Sequence, residues 1–185
     1  MRDSGVTSEP ILVVMGVAGC GKSTVGDALA ARLGWRYAEG DDFHPQANVD
    51  KMRAGKPLDD ADRRPWLSAI ADWMDGQAGA RRPGVIACSA LKRRYRDFLR
   101  EGRPQVWFLY LRVPREVLQR RLRDRHHDYM PASLLDSQLA TLEEPMRDEP
   151  RCITLDAADG VPATLEAALQ ALRAHDILPA QEETR

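Results

Sequence analysis

Apolar positions along this chain follow two periods. Residues 11–15, 36–38 (the weakest), 84–88, 106–111 and 152–155 are short apolar runs that read as strands. The first, Ile11-Leu12-Val13-Val14-Met15, has no polar alternation, as expected of a strand buried on both faces. Between the runs, apolar residues recur at helical spacing. Val25, Ala28, Leu29 and Leu33 share one face, and Gly34 can stop that helix. Trp66, Leu67, Ile70, Trp73 and Met74 fit a second face, with Pro65 tolerated if it sits in the first turn. Pro114 can open a helix carrying Val117, Leu118 and Leu122. Leu134, Leu135, Leu139 and Leu142 mark another, and Val161, Leu165, Ala168, Leu169 and Leu172 a last one. These stripes read as core. Strands alternating with helices predict an α/β fold around a parallel sheet.

Two connections are longer than the pattern needs. Residues 40–80 hold two helices' worth of chain, and residues 124–133 are rich in Arg, His and Asp. The first reads as a substrate-binding arm and the second as a lid. The polar ends, 1–9 and 176–185, read as flexible tails around one domain over 10–175.

A length of 185 residues suits one domain with a sizeable core. Lys and Arg total 27 against 28 Asp and Glu, a net charge of −1. That balance argues against a nucleic-acid or membrane-surface partner. Cys20, Cys88 and Cys152 are odd in number and far apart, with neither metal-ligand spacing nor a disulfide framework. A reducing cytoplasm fits them. The first ten residues lack the apolar core of a secretory signal, and no apolar run is long enough for a membrane helix.

The candidate chemistry begins after the first strand. Gly16-Val17-Ala18-Gly19-Cys20-Gly21-Lys22-Ser23-Thr24 fits G-x-x-x-x-G-K-[ST], the phosphate-binding P-loop, between a strand and a helix. Its backbone amides would cradle phosphate oxygens, Lys22 would meet the β/γ-phosphates, and Ser23 would offer a hydroxyl to Mg²⁺. Many P-loop motors and switches hold Mg²⁺ with an acid at a strand end. Here the third run leads into Ser89 and the fourth into Arg112. The acids cluster instead after the second run: Glu39, Asp41 and Asp42. An acid there can take the proton of a hydroxyl attacking the γ-phosphate; a solvated acidic turn is the alternative for Asp41. The guanine-reading order N-K-x-D is missing, since Asn48-Val49-Asp50-Lys51 reverses it.

Further segments carry a family pattern: Gly40-Asp41-Asp42-Phe43-His44-Pro45, Asn48 with Lys51-Met52, Pro57-Leu58 with Asp60 and Asp62-Arg63, and Pro65-Trp66-Leu67. Cys88-Ser89-Ala90-Leu91-Lys92, Tyr95-Arg96, and Leu134-Leu135-Asp136-Ser137-Gln138 with Thr141-Leu142-Glu143 follow. Over roughly residues 10–173 the chain resembles the small P-loop gluconokinases, relatives of shikimate kinase. The resemblance implies ATP-dependent phosphorylation of D-gluconate to 6-phospho-D-gluconate with Mg²⁺. It also implies a five-stranded parallel sheet in the order 2-3-1-4-5, a mobile lid and a cytoplasmic homodimer. By resemblance, Asp41 meets the acceptor hydroxyl, and Arg63 and the segment from Lys92 to Arg96 contact the sugar acid. Gln138 joins the substrate-binding set, Arg121 and Arg125 meet ATP phosphates at the lid, and Glu39 reaches Mg²⁺ with Ser23, in Glu39's case through a water.

Physical chemistry bears on these roles. Gluconate is an anion with five hydroxyls. Its carboxylate suits the guanidinium fork of Arg63 or Arg96, and its hydroxyls suit Asp41, His44 and Ser89. Lys22, Lys92, Arg121 and Arg125 would neutralise two anionic substrates. The plainer alternatives are a solvated helix start for Lys92-Arg93-Arg94, an ion pair with Asp59 or Asp60 for Arg63, and a hydrogen-bonded turn for His44. Two departures stand out. Asp128 precedes Tyr129-Met130 where the family usually has His, although His127 could substitute, and Glu39 stands where Asp is common. Competing readings are another small-molecule kinase, shikimate-like or nucleoside, and a nucleotide switch without an acceptor.

Overall fold

In the computed structural model, residues 9–124 and 132–179 are described, except for the side chains of Ala132 and Ser133. Strands β1 (Ile11–Met15), β2 (Arg36–Glu39), β3 (Gly84–Ala87), β4 (Val106–Arg112) and β5 (Cys152–Asp156) form one parallel sheet in the order β2-β3-β1-β4-β5. Helices α1 (Lys22–Leu33), α2 (Gln46–Arg53), α3 (Asp60–Gly79), α4 (Arg93–Arg100), α5 (Arg115–Asp124) and α6 (Ala132–Thr141) lie between the strands in sequence, and α7 (Val161–Ala174) follows β5. A 3-10 turn, Gly40–Phe43, follows β2 directly.

Central β1 explains the unalternating first run. Leu12 and Val14 pack with Val25 and Leu29 of α1, Leu118 of α5, Leu135 of α6 and Leu169 of α7. Ile11, Val13 and Met15 face the other way, onto Trp66, Ile70 and Met74 of α3 and Tyr95 and Leu99 of α4. With helices on both faces, no position of β1 meets water, and each large aliphatic buried there contributes roughly 1.5–3 kcal/mol.

The predicted elements form, with shifts at their ends. Strand β2 includes Glu39 because its backbone pairs in register with Ala87. Helix α3 begins six residues before its apolar stripe. A capping box nucleates it: Asp59 accepts from the Asp62 amide, and the Asp62 carboxylate accepts from the Asp59 amide, both at 2.8 Å. Pro65 therefore lies in the second turn, not the first, and deprives the Ala61 carbonyl of its helical donor. Periodicity missed α2 and α4, which carry few apolar residues; α4 buries two arginines, Arg96 and Arg100. The chain stays packed beyond residue 175, with Ile177 and Leu178 against the core. Most of the expected lid, including Arg125, His126, His127 and Asp128, lies outside the described residues, as do 1–8 and 180–185.

Candidate active site

The P-loop leaves the C-terminal end of β1 and enters α1 through Gly21, whose φ of 94° lies in the left-handed region that glycine adopts without strain. Lys22 is the first helical residue. The first amides of any helix lack intrahelical acceptors, so the start of α1 offers donors and a positive dipole end to phosphate.

The loop after β3 forms the adjoining wall. The Gly16 amide donates to the Ser89 carbonyl at 3.4 Å and the Cys88 amide to the Val14 carbonyl at 3.0 Å. Burial pushes the Cys88 thiol up to about 12; Asp41 and Glu39 push the same way, and Lys22 opposes them. Parallel register sets Glu39 beside Ala87 of β3 and Ala87 beside Val14 of β1, so the acidic turn and the P-loop leave the same end of the sheet, where open parallel sheets bind ligands.

A close backbone approach sets Asp41. A Cβ on Gly40 would stand 2.2 Å from the Ala87 carbonyl oxygen, so only glycine lets the turn lie against β3. Trp66 then pins the turn, its Nε1 donating to the Gly40 carbonyl at 2.7 Å. His44, one residue past the turn, stacks on the Trp66 ring at 4.5 Å between centroids and 10° between planes. Burial holds His44 below its usual pKa; Asp41 opposes that shift and Arg63 reinforces it. His44 thus favours the neutral ring more than a free imidazole does, and its amide closes the turn on the Asp41 carbonyl at 3.2 Å.

Arg63 and Lys92 flank the Tyr95 ring, at 5.8 and 5.6 Å from its centroid. Arg63 makes neither alternative ion pair among the described residues; it donates to the Leu58 carbonyl. Asp60 instead gathers Lys92 at 3.1 Å, Arg94 and the Tyr95 hydroxyl. The Tyr95 hydrogen bond first, then Lys92, hold the Asp60 carboxyl down at about 2.

Arg96 requires a correction. It is fully buried, and all five of its N–H donors are used within the protein. They go to both Glu149 oxygens and to the carbonyls of Ala90, Leu91 and Glu143. No donor is left for a sugar acid. Glu149, also buried, is shared with Arg100; burial pushes its carboxyl up, but the two guanidiniums hold it below the usual range. Spacing carried no sign of Glu149, which reaches α4 from 53 residues away.

Arg121 lies beside the P-loop. It bonds the carbonyls of Cys20 at 3.4 Å, Ala157 at 2.8 Å and Ala158 at 3.0 Å, lining a cleft of about 300 Å³ with Gly19, Gly21, Thr24 and Val161. Gln138 on α6 also meets the P-loop: its Oε1 accepts from the Ala18 amide at 2.7 Å.

For Mg²⁺, the fit of the residues rests on Tyr37, which sequence reading passed over. Its hydroxyl donates to Glu39 Oε2 at 2.8 Å and reaches the Ser23 carbonyl at 3.3 Å, linking the two expected ligands. Among the described residues no cluster of three or more His, Cys, Asp or Glu could hold a metal. A hydroxyl and one carboxylate are hard oxygen donors, and Mg²⁺ takes few protein ligands beside phosphates and water.

A phosphate cradle at the end of β1, in a parallel sheet of this order, defines the class: a P-loop nucleotide-binding protein. Residues 11–145 match the family described as AAA domain. A gluconokinase of Gluconobacter oxydans (strain 621H) is 53% identical over 139 residues, covering 75% of this chain and 78% of that protein. The thermosensitive gluconokinase of Escherichia coli (strain K12) is 40% identical over 162 residues, 88% and 87% of the two chains. The crystal structure of a gluconokinase from Sinorhizobium meliloti 1021 superposes with a TM-score of 0.82 at 44% identity, over 91% of this chain and 94% of that one. The chain belongs to the gluconokinase family.

Proposed function

We propose that the chain transfers the γ-phosphoryl group of ATP to D-gluconate, giving 6-phospho-D-gluconate. The observation that carries this reading is the register that sets Glu39 and the Asp41 turn against Ala87 of β3, at the same sheet end from which the P-loop leaves β1. Family membership supplies the substrate, and a shikimate-like or nucleoside kinase is not favoured.

In this mechanism α1 and Lys22 hold the β- and γ-phosphates. Asp41 takes the proton of the gluconate O6 hydroxyl as it attacks, a contribution of typically 10²–10⁴-fold. Positioning and charge neutralisation supply the larger share. Arg63 and Lys92, set around Tyr95, receive the carboxylate, while His44 and Ser89 meet hydroxyls. Arg121 holds the nucleotide side of the cleft, and the family resemblance adds Arg125 as a second cation for the ATP phosphates. Ser23 and Glu39 would hold Mg²⁺, which neutralises phosphate charge when bound. The reading extends to a homodimer in the cytoplasm. Three free cysteines fit a reducing compartment, and no helix among the described residues is long and apolar enough to cross a membrane.

An ADP-release assay with Mg·ATP tests the activity against gluconate, shikimate, other sugar acids, nucleosides and no acceptor. Turnover with gluconate alone is expected. Turnover with a different acceptor, or hydrolysis indifferent to every acceptor, overturns the assignment.

A further inference from the structure

We propose that Gln138 is a catalytic residue of the phosphoryl-donor site, its side-chain amide donating to the γ-phosphate, rather than a ligand of the sugar acid. The proposal rests on the reading of the P-loop as the ATP site. It begins from chemical direction. The Ala18 amide can only donate, so the Gln138 atom 2.7 Å from it must be the carbonyl Oε1. Nε2 belongs to the same planar group, about 2.2 Å from Oε1. It therefore lies within about 5 Å of the Ala18 nitrogen, close enough for its N–H donors to meet a phosphate held by the P-loop.

The position is built. Leu135, one turn earlier on α6, is buried in the core against β1 and α1. After α6, the Glu143 amide donates to the Leu91 carbonyl at 2.8 Å, and the Glu143 carboxylate accepts from the Arg93 amide at 2.7 Å. Helix α6 is thus held between the P-loop and the acceptor loop that runs from Ser89 to Lys92. Ala18 lies between Gly16, whose amide is tied to Ser89, and Lys22. The γ-phosphate must sit where those two walls meet if a hydroxyl at Asp41 is to reach it. A donor there binds a group that ATP has and ADP lacks. It also stabilises the charge that spreads over the γ-oxygens during transfer. Gln138 itself exchanges no proton: the bond from phosphorus to the β-bridging oxygen breaks, the bond to gluconate oxygen forms, and the hydroxyl proton goes to Asp41.

Two variants separate the roles. Q138M keeps the length but neither accepts nor donates, whereas Q138E keeps the acceptor for Ala18 and removes the donor. Calorimetry would compare ADP with a non-hydrolysable ATP analogue, each with Mg²⁺, alongside kcat and the gluconate KM. In Q138M the analogue should bind about tenfold or more weaker, with ADP within about threefold and kcat falling at least tenfold, the size expected for a hydrogen bond to a charged group. Q138E should be no better. Near-normal turnover of Q138E would show that holding Ala18 is all that Gln138 does and would overturn the proposal. So would equal losses for ADP and the analogue, or a raised gluconate KM with nucleotide affinities unchanged. Should the unaltered protein fail to turn over gluconate, the acceptor assignment falls, and the ratio of analogue to ADP affinity still decides Gln138.

Discussion

Asp41 and His44 are neighbours on one turn but differ in exposure. Asp41 is exposed on its turn, free to meet a hydroxyl, whereas His44 is stacked and half-buried. In Asp41→Asn the amide cannot take the hydroxyl proton, so kcat should fall about 10²–10⁴-fold with little change in ATP affinity. Steady-state kinetics with nucleotide titration checks this; lost ATP binding with normal kcat would put Asp41 in the nucleotide site. For His44 the sign follows from its lowered pKa. Below its ordinary value of 6.5, the unfolded chain binds the proton more readily than the folded one. Its contribution to stability is therefore complete above pH 6.5 and is lost as pH falls. Urea titrations between pH 7.5 and 5 should show a smaller acid loss in His44→Gln than in the unaltered protein; identical slopes would refute the assignment.

Among the elements, the 3-10 turn after β2 depends on one missing Cβ. Gly40→Ala forces the turn away from the Ala87 carbonyl, a backbone atom that cannot yield as a side chain can. It should cost about 1–3 kcal/mol and displace Asp41, lowering kcat in the folded protein as well. Gly76→Ala, in α3 with open space around it, serves as the control and should be neutral or stabilising by up to about 1 kcal/mol. Melting curves and kcat for the pair decide between a local steric cause and a general effect of losing glycine. The elements were legible to different degrees for physical reasons. The strands and the amphipathic helices announced themselves because burial imposes a period. Helix α4 did not, because its buried side chains include arginines that a linear pattern assigns to water. The start of α3 was hidden because its first turn is polar and its signal is a cap, not a stripe.

Across the whole molecule, the Arg96–Arg100–Glu149 cluster ties α4 to the segment before β5. Arg96 also holds the carbonyls of Ala90 and Leu91, beside Ser89 and Lys92, so it supports the acceptor wall without touching substrate. Glu149→Gln leaves the buried Arg96 guanidinium without a counter-charge, while Arg100 keeps Asp97 at 3.5 Å, and should destabilise the fold by about 3–5 kcal/mol, measured by urea denaturation. A loss below about 1 kcal/mol would mean that the cluster is hydrated in solution. The local sequence by itself determined the parallel α/β architecture, the phosphate cradle and the acidic turn, because each is a run of neighbours whose spacing carries its own geometry. Tertiary structure alone decided which distant side chains share a partner. It placed Arg96 on Glu149, Gln138 on Ala18, and Tyr37 between Glu39 and Ser23. An arginine facing substrate and one sealed in an ion pair look the same in one dimension, and only packing says which charge is left for the ligand.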